Sequence, residues 1–88
     1  MSENLTFKSV LRDAEKKYQS KVSKYGESWK IMPLMELRTK LYFEEVVEWA
    51  ETMTNKEPIE NEREELLDII NLACMLAKRL EENQVTKK

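Results

Sequence analysis

The sequence contains no histidine. That absence removes imidazole metal sites, the Ser-His-Asp triad and the Glu-x-x-His di-iron sites of ferritin-like bundles together. Any chemistry must be carried by carboxylates, amines, guanidinium groups and hydroxyls. Cysteine is limited to Cys74, so no intrachain disulfide can form, and its place inside an apolar run reads as a small buried hydrophobe. One glycine and two prolines leave few points at which a helix must stop. Basic residues are not in excess: 15 Lys and Arg stand against 17 Asp and Glu, a net charge of -2, which disfavours electrostatic nucleic-acid binding. The longest uncharged apolar-rich run, residues 69–77, falls well short of the roughly 20 residues a membrane-spanning helix requires. The opening MSENLTFKSV lacks a basic start followed by an apolar stretch. These readings predict a cytoplasmic protein with neither membrane nor nucleic acid as partner.

What is present is 41% hydrophobic and 36% charged residues in a chain of 88, the profile of one helical domain. A chain this short buries a small share of its surface, so help from a partner subunit is expected. Phe7, Val10, Leu11, Ala14, Tyr18, Val22 and Tyr25 recur at threes and fours, which predicts an amphipathic helix over about residues 5–25, closed by Gly26. Pro33 suits the first turn of a second helix, and LMELRTKLYFEEVVEWAETM after it has no breaker. TNKEP interrupts. A third helix then opens at Pro58 or at an Asn61/Glu64 capping box and runs to about residue 82, with NQVTKK as a frayed tail. Without strand-like alternation, the fold class is all-α: a bundle of about three helices in a single domain over residues 1–88, completed by oligomerisation.

The third helix poses a question, because between Leu66 and Ala77 only Asp68 and Asn71 are polar. A helix that is apolar all round is a buried one. At 3.6 residues per turn, Glu65 lies about 60° from Asp68 on that helix. An isolated ionised carboxylate in such a setting persists only if it is protonated, hydrogen-bonded, paired with a cation or bound to a metal. The second helix offers counterparts in FEEVVEWAE, where Glu44 and Glu48 lie about 40° apart and Glu45 and Glu48 about 60° apart, placing three acids on one face. Packing the two helices together would gather Glu44, Glu45, Glu48, Glu65 and Asp68 with no histidine or cysteine beside them. Carboxylates three or four apart have Cβ atoms about 5 to 6 Å apart, close enough to share one ion. Metal-oxygen bonds of about 2.1 Å suit Mg²⁺, with Mn²⁺ as an alternative. The competing reading is a solvated acidic face matched by lysines. It accounts for Glu44 but not for an acid enclosed by leucines and isoleucines.

EEVVE followed after sixteen residues by ELLD resembles the Glu-Glu-x-x-Glu and Glu-x-x-Asp pair of the MazG-like all-α nucleotide pyrophosphohydrolases. The similarity spans about residues 25–80. The resemblance implies an Mg²⁺-dependent enzyme that cleaves a nucleoside triphosphate between the α and β phosphates, releasing a monophosphate and pyrophosphate, and that works as a homodimer or homotetramer. Carried over by position, it implies Glu45, Glu48, Glu65 and Asp68 as metal ligands. Glu44 becomes a further ligand or, with Glu45, a group that orients or deprotonates the attacking water. KYGESW at 24–29 is similar to a segment before the metal helix in some relatives. Val47 departs from the pattern, since many relatives carry a small residue there, and Lys78, Arg79, Lys87 and Lys88 are the only bases beyond the third motif helix's apolar run.

Substrate contacts are assigned on chemistry. Trp29 and Tyr42 could stack on a base, or serve as packing residues. Lys30, Arg38 and Lys40 could meet phosphate oxygens, or simply stay solvated. Asn71, one turn beyond Asp68, could orient a ligand or water, or be a plain buried amide. The rival to an enzyme is a non-catalytic helical interaction module, or a nucleotide-binding protein of the same fold, whose acids are answered by lysines or arginines.

Overall fold

The computed structural model describes residues 6–86, with side chains described to residue 82. Every regular element among them is helical. Helix α1, Lys8–Tyr25, carries the predicted stripe and ends where expected: Gly26 takes φ 76° and its N–H donates to the Val22 carbonyl at 2.8 Å. That left-handed backbone is one glycine enters without a Cβ penalty. A short 3₁₀ turn, Ser28–Lys30, leads to Pro33, whose fixed φ starts α2 at Leu34.

The second helix holds a departure from the expected regular coil. Helix α2 (Leu34–Thr39) runs without a break into a π-helical turn, Lys40–Glu45, and then into α3, Val46–Thr54. One continuous rod therefore contains a wide turn immediately before and through Glu44 and Glu45. Such turns shift the angular register of all that follows relative to a uniform 100° per residue. The chain leaves α3 through Lys56, which holds φ 54° while its N–H donates to the Met53 carbonyl at 3.1 Å and the Glu57 N–H to the Thr52 carbonyl at 2.9 Å. This pair of bonds is the Schellman closure, with lysine in the seat glycine usually fills.

Helix α4 spans Ile59–Thr86. Pro58 opens it: the Asn61 and Glu62 N–H groups donate to the Pro58 carbonyl, so Asn61 is already inside the helix and forms no capping box there. Its side chain instead donates to Glu57 Oε1 at 3.0 Å. The helix also passes the expected stop near residue 82 and continues to Thr86, and residues 87–88 of the expected tail lie outside the described residues.

The three rods meet in a small core of Ala14, Leu37, Leu67 and Leu72, of which Leu37 is 1% exposed. Polar links set their spacing. Asn71 Nδ2 donates to the Ala14 carbonyl at 2.8 Å, and Arg79 Nη1 donates to the carbonyls of Trp29 and Met32 at 2.8 and 2.6 Å, tying the α1–α2 connection to α4. Trp49 Nε1 reaches Glu62 Oε2 at 3.0 Å, joining α3 to α4. Beyond this core, Phe7, Leu11, Tyr25, Met35, Tyr42 and Phe43 stay exposed, so one chain leaves part of the predicted apolar stripes uncovered. Cys74 corrects the sequence reading: it is exposed in this chain rather than buried, because the apolar girdle of α4 is wider than the two rods packed against it.

Candidate metal centre

The π turn and the start of α4 bring three acids together. Ligand oxygens of Glu45, Glu65 and Asp68 all lie within 4.8 Å of one another, and each residue is partly buried. The expected gathering of five is thus a gathering of three. Glu48 is exposed, yet its charge still bears on both Glu45 and Glu65. Glu44 is turned toward Lys40, with Nζ and Oε1 3.7 Å apart, and does not join the cluster. Adjacent positions on a helix point about 100° apart, so Glu44 and Glu45 face different neighbours.

Asp68 is the enclosed acid that the sequence singled out, with a side chain only 13% exposed, and its Oδ1 is answered by two lysines. Lys17 Nζ stands 3.2 Å away and Lys21 Nζ 3.0 Å away, both from α1. Lys17 also donates to the Glu64 carbonyl at 2.9 Å and lies 3.2 Å from Glu64 Oε1. Neither lysine was assigned to the site from sequence. The available signal was their spacing, since positions 17 and 21 flank the stripe of Ala14, Tyr18 and Val22 on one helix face.

Glu45 and Glu65 have a different environment. Burial raises the pKa of each above the usual carboxylate value, and the charges of Asp68 and Glu48 raise it further. Glu65 Oε1 is buried and has no hydrogen-bond partner. A buried, unpaired carboxylate oxygen beside two other acids is costly, and an added divalent cation satisfies it directly. The donor set fits such an ion: hard oxygen atoms only, drawn from two helices, with no sulfur or imidazole to favour a softer metal. Lys17 contrasts with the glutamates. Burial alone would lower its pKa, but hydrogen bonds to Asp68 and Glu64 and their charges outweigh that and raise it.

The remaining sequence candidates are dispersed. Lys30 pairs with Glu27 at 2.9 Å, and Arg38 is exposed on α2. Lys40 faces Glu44, and exposed Tyr42 has its ring 5.0 Å from that of Phe43. Asn71 spends its amide N–H on the Ala14 carbonyl. Trp29 donates to Tyr18 Oη at 3.0 Å, and Tyr18 in turn donates to Glu27 Oε2 at 2.6 Å. Together Trp29, Tyr18, Leu11, Ile70, Cys74 and Met75 line an open cavity of about 360 Å³ between α1 and α4. Measured around α4 from Asn71, Asp68 and Glu65 lie roughly 60° and 120° to one side, Cys74 and Ile70 roughly 60° and 100° to the other. The apolar cavity and the acids therefore occupy opposite flanks of the α1–α4 contact.

Compared with protein-family models, with curated proteins and with solved structures, the chain matches none. No helix among the described residues is long and apolar enough to cross a membrane.

Proposed function

We propose that this chain is an Mg²⁺-dependent nucleoside triphosphate pyrophosphohydrolase: water adds at a phosphorus, the α–β phosphoanhydride breaks, and a nucleoside monophosphate and pyrophosphate leave. One observation carries the reading. Three carboxylates converge from two helices, and one of their oxygens is buried without a partner. A divalent ion bound there would supply positive charge for both the carboxylates and the phosphate oxygens, the main requirement of phosphoryl transfer. Glu45, Glu65 and Asp68 would hold it, with exposed Glu48 at the rim as a further ligand. Of the two glutamates read as water-activating, Glu45 is the better placed, because it belongs to the cluster while Glu44 faces Lys40. The uncovered apolar side chains of α1 and of the middle rod support assembly as a homodimer or homotetramer.

The test is incubation of purified protein with a panel of nucleotides and Mg²⁺, with pyrophosphate and monophosphate assayed together. The expected result is paired release of both products, abolished by Glu65→Gln. No turnover on any nucleotide, with no metal binding, ends the proposal.

A second reading has a specific observation in its favour. The Lys17 and Lys21 contacts to Asp68 are what a helical interaction module would use to fix α1 against α4. Asp68→Asn separates the two. On the enzyme reading Mg²⁺ raises the melting temperature of the wild type and not of the variant; on the structural reading the variant melts lower and Mg²⁺ changes neither.

A further inference from the structure

The two lysines on Asp68 are not equivalent. An ammonium group has three N–H donors. Lys17 has three acceptors for them: Asp68 Oδ1, Glu64 Oε1 and the Glu64 carbonyl. Its side chain is 23% exposed. Lys21 has one acceptor, the same Asp68 Oδ1, and is 53% exposed. Lys17 is thus fully engaged and clamped to the start of α4, whereas Lys21 leans on a single oxygen and stands more than half in solvent.

We infer that Lys21 is a polyphosphate-binding residue that rests on Asp68 as an internal counter-ion and transfers to phosphate oxygens when a divalent cation takes that carboxylate. The inference rests on the proposed metal centre and adds to it a substrate contact and an order of events. A cation among Glu45, Glu65 and Asp68 would stand beside the Lys21 ammonium and repel it. The four-carbon stem of Lys21, fixed at its base by α1, lets Nζ swing while keeping it at the edge of the cluster, where the phosphates of a metal-bound substrate come to lie. Lys17, held also by Glu64, stays in place as a positioning residue that keeps Asp68 and α1 in register. The same Lys21 ammonium therefore opposes metal binding and favours polyphosphate binding, whereas Lys17, whose three donors are already engaged, has none to give to phosphate.

The experiment is calorimetric titration of wild type, Lys21→Met and Lys17→Met, first with MgCl₂ alone and then, at saturating Mg²⁺, with inorganic tripolyphosphate, which removes any dependence on the base. Lys21→Met is expected to bind Mg²⁺ several-fold tighter and tripolyphosphate about tenfold more weakly, the loss of one charge-assisted hydrogen bond. Lys17→Met, which removes an ammonium equally near Asp68, is expected to lower the melting temperature and to leave tripolyphosphate affinity within twofold of wild type, whatever its effect on Mg²⁺. Lys21 is half exposed, so its variant folds, and circular dichroism checks that it does. Tripolyphosphate affinity of Lys21→Met within twofold of wild type, or a weakened Mg²⁺ affinity, overturns the inference while leaving the metal centre standing. A wild type that binds no Mg²⁺ overturns both.

Discussion

Glu65 is the residue at which the cost of the site is concentrated. Burial first, then the charges of Asp68 and Glu48, raise its pKa above the ordinary 4.5. Between the ordinary and the raised value the folded chain binds more protons than the unfolded one, so the contribution of Glu65 to stability falls as pH rises through that window. Metal-free Glu65→Gln should therefore gain on the wild type as pH climbs from about 4.5, with the gap becoming flat above the raised value. Thermal melts of both proteins from about pH 4 to 8 check this, and a gap independent of pH would remove Glu65 as a strained acid. Because an ion binds the deprotonated carboxylate, any stabilisation by Mg²⁺ should grow over the same interval. Asp68 is the converse case at the same scale. That it stands out of solvent was legible in LLDIINLACML, but its neighbours are two lysines from another helix rather than a ring of leucines and isoleucines, and Leu66 is exposed.

At the scale of elements, the helix ends followed local chemistry closely. Gly26, Pro33 and Pro58 act where their backbone restrictions place them, since these effects need no tertiary contact. The same local logic yields a prediction at the end of α3. Lys56 occupies a left-handed conformation at φ 54° that costs an L-residue about 1 to 2 kcal/mol. Lys56→Gly should recover about 1 kcal/mol net of the entropy glycine loses on folding, read as a higher denaturant midpoint with unchanged slope. A lower midpoint would mean the lysine side chain contributes there. The π turn at Lys40–Glu45 was not legible, because nothing in KLYFEE marks it: no proline, glycine or charge gap interrupts the run. Glu45, at its end, joins the site while Glu44 faces Lys40.

The whole molecule is open for its size. Its radius of gyration is 14.8 Å, against about 12 Å expected for a compact chain of this length. Its accessible surface is 6958 Å², against about 5,400 Å² expected for a monomer of this mass. Exposed Leu11, Phe43, Met53 and Leu80 belong to that surplus. If association covers it, the melting temperature should rise with protein concentration, and sedimentation should give a mass at least twice 10.5 kDa. A concentration-independent melt at the monomer mass would show that one chain is stable with these side chains in water.

By itself the sequence determined the helical class, the three rods, their boundaries at Gly26, Pro33 and Pro58, and the set of acids from which a centre could be built. These follow from backbone preferences and from hydrophobic periodicity, both written within a few residues of each position. Tertiary structure alone decided which acids meet and what answers them. Glu45 meets Glu65 and Asp68 while Glu44 turns to Lys40, and Lys21 reaches Asp68 across a separation of 47 residues along the chain. Electrostatic contact depends on distance through space, and neither spacing along the chain nor angle around a single helix contains that distance.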